Sequence, residues 1–307
     1  MERETIQRAR QANLPEYLMS VGVPLVKHGN RRYKHAEHTS LVFTDNAFFW
    51  NSIQDRGNAI DYLTHHMGMN FKEAVTALTN IKPADPRPVR AFEWGDISVY
   101  RSPDKVIRYL DKIRHINLCI VEWLLKQKLL FQEEHTNNAI FPMYDVNNNI
   151  VGAELRGITP KSFKQIKADS KYGYGFNIKI SEDNKFDYAL FFESPIDLLS
   201  YIDYKIYHKN EKFKNCILIS MAGLKINILK HSLQTFAPNS KAILCVDNDT
   251  AGRNFTESIK NAGIDCFLRL PDNKYKDWND QVIDMKKYCN PVGRMLERER
   301  DSLTLKL

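Results

Sequence analysis

The sequence predicts an α/β protein whose C-terminal part is built on a parallel sheet, preceded by two small α+β units. Two observations carry this reading. The runs YALFFESPIDLLS (188–200) and KAILCVDNDTAGRNF (241–255) each open on a short apolar, partly β-branched and aromatic stretch, meet acidic residues, and pass at once into a helical pattern. Strand, acid, helix, repeated, is the pattern of a parallel sheet with crossover helices. The chain before residue 183 reads differently, as short strands punctuated by turn signals and interleaved with amphipathic helices. IKPADPRPVR (81–90), with three prolines in ten residues, divides that part in two. The expected organisation is a first unit over 1–82, a linker over 83–94, a basic unit over 95–182, the parallel-sheet domain over 183–285, and a charged helical tail over 286–307.

Residues 2–20 read as one helix with Ile6, Ala9, Leu14, Tyr17 and Leu18 on its apolar face. Residues 21–52 alternate as short strands, with turns at His28-Gly29-Asn30 and Asp45-Asn46. Residues 59–81 read as two helices broken near Gly68, with Asn70 capping the second. In the middle unit, 103–113 and 116–128 are helical, the latter with Leu118, Val121, Leu124 and Leu125 inward. A hairpin follows over 139–158, turning at Asn147-Asn148-Asn149. Beyond it Lys161, Lys164, Lys167 and Lys171, with Arg156 from the hairpin itself, form a basic set. In the C-terminal part 188–192, 216–220, 241–246 and 265–270 read as strands, and the stretches after the first three as helices.

Composition narrows the class. No apolar run reaches the roughly 18 residues of a membrane span, and the charged start MERETIQRARQ has no apolar segment of a secretory signal. A cytoplasmic protein is expected. The net charge of +7 favours an anionic partner, for which nucleic acid is the natural candidate. The five cysteines are scattered with no Cys-x-x-Cys pair, and read as small core residues rather than ligands or disulfides.

Asp247 and Asp249 are two apart, so in an extended segment both carboxylates point the same way. Glu193 ends the neighbouring strand, and ligands of parallel sheets bind at the carboxyl ends of strands. Three carboxylates there repel one another unless a cation lies between them. Mg²⁺ (or Mn²⁺) suits such a site, because it takes oxygen ligands and bridges carboxylates to phosphate. A plainer reading stands beside this one: Asp249 as the cap of the helix beginning at Thr250, and Asp197 as an exposed acid in a first helical turn.

A Glu after the first strand and an Asp-x-Asp after the third resemble the Toprim domain of bacterial primases, topoisomerases and some nucleases. The resemblance covers roughly residues 186–282 and implies a Rossmann-like parallel sheet. Ser194-Pro195 follows the Glu where primases usually have Gly. ESPID is the form associated with primase-like Toprim proteins of plasmids and other mobile elements. In the KDWND run (276–280), the resemblance implies that Asp277 joins the metal site; Asn279 stands where a second acid is usual, with Asp280 as its stand-in.

The first unit resembles the end of a primase zinc-binding domain at Gly57, Ile60-Asp61-Tyr62, Gly68, Phe71, Glu73-Ala74-Val75 and Leu78. The ligand places hold His35 and His38, then 51–55 with no Cys or His, so a degenerate domain without zinc is expected. Tyr33, Leu41, Phe43, Phe48, Phe49 and Trp50 would stabilise it in the metal's stead. Arg31, Arg32 and Lys34 beside Tyr33 are candidates for a single-stranded backbone. Phe141, Asp145, Gly152, Arg156 and Gly157 resemble the uncharacterised domain preceding Toprim in mobile-element proteins. By analogy with primases, Arg156, Lys161 and Lys164 would contact phosphates.

Together these imply Mg²⁺-dependent nucleotidyl transfer on single-stranded DNA with nucleoside triphosphates, making primers in plasmid or mobile-element replication. A helicase or other replication protein is the further partner, and no membrane is involved. A Toprim nuclease and a non-catalytic DNA-binding accessory protein are the alternatives.

Overall fold

In the computed structural model, residues 2–53, 55–83, 90–159, 163–208 and 213–287 are described. They fall into two compact units, Met1–Pro88 and Val89–Leu307. The central part of the expected linker (84–89), Lys161 and most of the expected tail (288–307) lie outside the described residues.

The first unit begins with α1 (Arg3–Arg10) and α2 (Leu14–Ser20), so the single helix expected over 2–20 is broken in two. Asn13 supplies the break: its side chain accepts the Glu16 N–H at 3.3 Å as the cap of α2. Pro15, which has no N–H to offer a continuing helix, falls in the first turn. Five short strands follow, β1 (Leu25–Lys27), β2 (Arg32–His35), β3 (Leu41–Thr44), β4 (Ala47–Trp50) and β5 (Asp55–Asn58), in one antiparallel sheet in sequence order. Helices α3 (Ala59–His65) and α4 (Phe71–Thr79) close the unit. Each starts with a reciprocal capping box, Asn58 with Asp61 and Asn70 with Glu73.

The core of this unit gathers Leu14, Leu18, Leu41, Phe43, Phe48, Leu63, Val75 and Leu78. Phe43 and Phe48 set their rings edge-on to Tyr62, with centroids 5.0 and 5.1 Å away. Phe49, expected among the core residues, is 41% exposed instead. Side chains alternate along a strand, so with Phe48 inward Phe49 must face out, in register with Val42 and Arg56.

The second unit opens with a 3-10 turn (Trp94–Asp96), α5 (Asp104–Arg108) running on into a π turn (Tyr109–Ile113), and α6 (Leu118–Lys126). Strands β6 (Phe131–Gln132), β7 (Ala139–Tyr144), β8 (Ile150–Arg156) and β9 (Lys164–Ile166) form an antiparallel sheet in that order, two strands more than the expected hairpin. The remaining elements are β10 (Asn177–Ile180), β11 (Tyr188–Phe192), α7 (Pro195–Asp203), β12 (Cys216–Ser220), α8 (Ile226–Thr235), β13 (Lys241–Leu244), α9 (Thr250–Asn261), β14 (Cys266–Leu268) and α10 (Trp278–Lys287).

The second sheet runs β10-β12-β11-β13-β14. Its last four members are mutually parallel, and β10 pairs antiparallel with β12. The α/β expectation therefore holds, with one antiparallel edge strand donated by the middle region. Both faces of β11 are covered: Leu190 and Phe192 pack into one core, Ala189 and Phe191 into another. The first of these cores also contains Val106, Leu110, Ile120, Leu124 and Phe141, so the middle region and the parallel sheet share one interior. Helix α10 reaches past the expected domain end; Lys286 Nζ lies 2.7 Å from the fully buried Asp203 carboxylate. Cys216 and Cys245 are buried, and Cys119 and Cys266 are partly buried. Among the described residues no helix is long and apolar enough to cross a membrane.

Candidate active site

The chain leaves β11 for β12 on one side and returns to β13 on the other. That change of direction opens a crevice at the carboxyl ends of β11 and β13, the place where open α/β sheets receive ligands. Glu193 follows β11 directly, and Asp247 follows β13 by three residues. They meet: the Asp247 N–H donates to Glu193 Oε1 at 3.2 Å.

Helix starts fix the remaining acids. Asp249 caps α9, its Oδ1 accepting the Gly252 N–H at 3.0 Å, while its Oδ2 faces Lys276 Nζ at 3.7 Å. The helix-cap reading of Asp249 is therefore met without removing it from the cluster. A Cβ on Gly252 would stand 2.2 Å from the Asp247 carbonyl oxygen, so only glycine lets α9 begin this close to the acid loop. Asp277 stands immediately before α10 and accepts the Asp280 N–H at 2.7 Å. Trp278, buried, donates its Nε1–H to the Cys245 carbonyl at 3.2 Å and pins α10 beneath β13. The Asn248 N–H bonds the Lys276 carbonyl at 2.7 Å, tying the two acid loops together.

Asp197 corrects the sequence reading. It is 7% exposed rather than solvated, and the Ser194 hydroxyl donates to its Oδ2 at 2.5 Å. Its place is set by the N-cap Ser194, whose hydroxyl also accepts the Asp197 N–H at 3.2 Å and holds the acid in the first turn of α7. Asn279 turns away from the cluster. It is 3% exposed and donates to the Arg114 carbonyl at 2.7 Å and Ser200 Oγ at 2.9 Å, joining α10 to α7 and to the loop before α6.

The electrostatics treat these acids as one group. Burial, then Asp197, Glu193, Asp277 and Asp249, push Asp247 up to about 8. Burial, then Asp277, push Asp197 up to about 7, with the Ser194 hydroxyl and Arg156 pulling the other way. Burial also raises Glu193, opposed by the Asp247 N–H, Lys164 and Lys276. Toprim domains generally bind Mg²⁺, and the donor set fits a hard divalent cation. All donors are carboxylate oxygens, and Asp247 Oδ1 is buried without a hydrogen-bond partner. Among the described residues no three Asp, Glu, His or Cys side chains stand close enough to hold an ion as they are placed.

Cations border the acids. Arg156 and Lys164 are opposite each other on β8 and β9. Lys164 acts on Glu193 and Arg156 on Asp197. Lys225, just before α8, belongs to the same group: burial lowers its affinity for a proton, Glu154 raises it, and Lys164 and Arg156 lower it further. The sequence reading missed Lys225, which has no basic neighbour within four residues before it to mark it.

The first unit holds the other candidates. The Arg31 guanidinium pairs with Asp45 at 2.7 Å, while Arg32 is exposed and Lys34 half-buried on β2. His35 and His38 have ring centroids 4.9 Å apart, but His35 Nδ1 already accepts the N–H groups of Glu37 and His38. The place of the second ligand pair ends in Asp55, which bonds His66 Nε2 at 2.7 Å.

Residues 190–282 match the Toprim-like family, and residues 108–182 match a family described as a protein of unknown function, DUF3991. The chain thus carries a Toprim-like domain behind the domain of unknown function. An uncharacterised pXO2 protein of Bacillus anthracis is 29% identical over 96% of this chain and 91% of its own length. A 65 kDa protein of Zymomonas mobilis is 24% identical over 92% of this chain and 52% of its own length. Among solved structures, the zinc-binding and RNA polymerase domains of the Aquifex aeolicus primase align at 18% identity, covering 94% of this chain and 85% of that one, with a TM-score of 0.37.

Proposed function

We propose that the chain is a primase-like nucleotidyltransferase that makes primers on single-stranded DNA from nucleoside triphosphates. The observation that carries this is the cluster itself: Glu193, Asp197, Asp247, Asp249 and Asp277 on one crevice, with Arg156, Lys164, Lys225 and Lys276 beside them. Acids flanked by cations suit a phosphodiester reaction, in which phosphate must approach carboxylates. Asp247, Asp249, Glu193 and Asp277 would hold Mg²⁺ or Mn²⁺, with Asp197 behind them. When bound, the metal stabilises charge at the attacked phosphorus. Arg156 and Lys164 orient the phosphates, and Lys161 is a further candidate. Burial raises the proton affinity of Glu193, which supports it as the group that would accept the attacking hydroxyl's proton.

Arg32 and Lys34, and less so the paired Arg31, would follow a single-stranded backbone, with Phe49 exposed on the same sheet face as Lys34 for base stacking. The B. anthracis relative is plasmid-borne, which agrees with a role in plasmid replication or transfer beside a helicase or other replication protein.

The test mixes the full chain with single-stranded DNA, labelled ribo- and deoxyribonucleotides, and Mg²⁺ or Mn²⁺, against Asp247→Ala. Short labelled products made by the wild type alone, with at least a hundredfold loss in the variant, are expected. Shortening of the template without products identifies a nuclease. No reaction with DNA binding intact in both proteins leaves a non-catalytic accessory.

A further inference from the structure

The cations beside the carboxylates are organised by one acid that the proposed chemistry does not use. Glu154, on β8, is 1% exposed. Its Oε1 accepts two Arg156 donors, Nε at 2.8 Å and Nη2 at 2.6 Å. Its Oε2 accepts the Ser220 hydroxyl at 3.0 Å. Ser220 ends β12 on the other sheet, and the same Ser220 Oγ accepts the Ala222 N–H at 3.2 Å. Ala222 (φ 52°) and Gly223 (φ 103°) turn the loop sharply, and the Gly223 N–H bonds the Glu193 carbonyl at 2.7 Å. Lys225 closes this loop as α8 begins. One buried carboxylate therefore ties Arg156 on the antiparallel sheet to the loop that carries Lys225 and touches Glu193 on the mixed sheet.

The charges around it are out of balance. Arg156 and Lys164 are directly opposed on neighbouring strands, where like charges with Cβ atoms roughly 5 Å apart destabilise the pair. Lys225 is held close enough to feel both as repulsion. Glu154 bonds Arg156 and attracts Lys225, one carboxylate for two of these three cations. Three cations drawn together suit an anion of several charges, and a guanidinium held along one edge presents its remaining N–H groups in fixed directions, as phosphate recognition requires.

We propose that Glu154 is a positioning residue for a phosphate chain: it clamps Arg156 and, through Ser220, the Lys225 loop, so that Arg156, Lys164 and Lys225 form one cradle beside the carboxylates. The inference rests on the nucleotidyl-transfer reading for the identity of that chain as a triphosphate.

Charge and position predict opposite signs, and this makes the test sharp. Removing a negative charge beside an anion site tightens anion binding by Coulomb's law alone; losing the clamp weakens it. Tripolyphosphate is titrated into the full chain by calorimetry in EDTA at fixed salt. Glu154→Gln is expected to bind about tenfold more weakly, and Arg156→Ala comparably. The double variant should lose less than the two single losses combined, because both changes remove the same Glu154–Arg156 contact. Glu154→Gln that is folded and binds as tightly as wild type, or tighter, overturns the inference. If Glu154→Gln does not fold, Ser220→Ala decides by the same sign: weaker binding supports the clamp, unchanged binding overturns it. A wild type that binds no tripolyphosphate overturns the cradle and the phosphate-substrate reading together. Binding lost in Glu154→Gln, with no primer synthesis by the wild type, upholds the cradle and removes only nucleotidyl transfer.

Discussion

At the scale of single residues, Asp247 holds the strongest conflict in the fold. Its carboxyl is driven up to about 8 by burial and four other acids, and that of Asp197 up to about 7, against roughly 3.9 for an Asp in an unfolded chain. Both folded values lie above the unfolded one, so the folded state retains protons that the unfolded chain releases. Their contribution to stability is complete below about pH 4 and is lost as pH rises through about 7 to 8. A bound divalent cation needs the deprotonated acids and works in the opposite direction. Scanning calorimetry should therefore show the melting temperature in EDTA falling between about pH 5 and 8 and levelling above that, while the increment from Mg²⁺ in excess of chelator grows. Asp247→Asn should flatten both trends. It should also melt higher in EDTA, by about 2–4 °C for each kcal/mol of repulsion relieved in a domain of this size. A variant with the wild-type pH slope and Mg²⁺ increment would show that Asp247 is not the centre of the cluster. Glu193, Asp247 and Asp249 could be nominated from spacing, because strand alternation and strand ends are local properties. Asp197 and Lys225 could not be ranked in the same way, because burial and neighbours across the sheet set their role. Asn279 occupies an acid's usual place, yet only its bonds to Arg114 and Ser200 show that it serves packing.

At the scale of elements, the site depends on how α7, α9 and α10 begin. Gly252 decides the approach of α9: a methyl there lies 2.2 Å from the Asp247 carbonyl. Gly252→Ala should cost about 1–3 kcal/mol, as overpacking does, and should reduce Mg²⁺ affinity far more than a control of similar stability. Gly263→Ala is that control. It sits beyond the far end of α9 at φ 72° with open space around its Cβ position, so it is strained but remote. Equal loss of Mg²⁺ affinity in the two variants, read by Mn²⁺ titration, would count against a site built on this helix start. The helix caps were legible in sequence at Asn70 and Asp249. The break in the expected N-terminal helix lay in Asn13 and Pro15, a capping signal outweighed in the reading by apolar periodicity. The extra strands β6 and β9 have too little sequence of their own to announce themselves; pairing with β7 and β8 makes them strands.

At the scale of the molecule, each unit has its own core. A fragment of residues 89–307 should fold in one cooperative transition and keep the Mg²⁺ and tripolyphosphate affinities of the full chain. Its single-stranded DNA affinity should be weaker and less salt-dependent, because Arg32 and Lys34 no longer release counterions: the slope of log K against log salt should drop by about 0.7 per lost phosphate contact. An unchanged slope would remove the first unit from the DNA interface. No such cut is expected to succeed near residue 182, where the sequence suggested a boundary. Val106, Phe141 and Trp278 share one hydrophobic cluster across it, and β10 is hydrogen-bonded into the mixed sheet.

The sequence by itself determined the α/β class and the strand–acid–helix order, and it nominated Glu193, Asp247 and Asp249, because these follow from periodicities of two and 3.6 residues and from what stands at a strand's end. Only the tertiary structure decided the rest. It placed Asp197 inside the cluster, turned Asn279 out of it, exposed Phe49, engaged Arg31 with Asp45, and joined Arg156 to Ser220 through Glu154. Each of these is a meeting of residues far apart in the chain or a partition between core and solvent, and both are properties of the packed chain rather than of any local stretch.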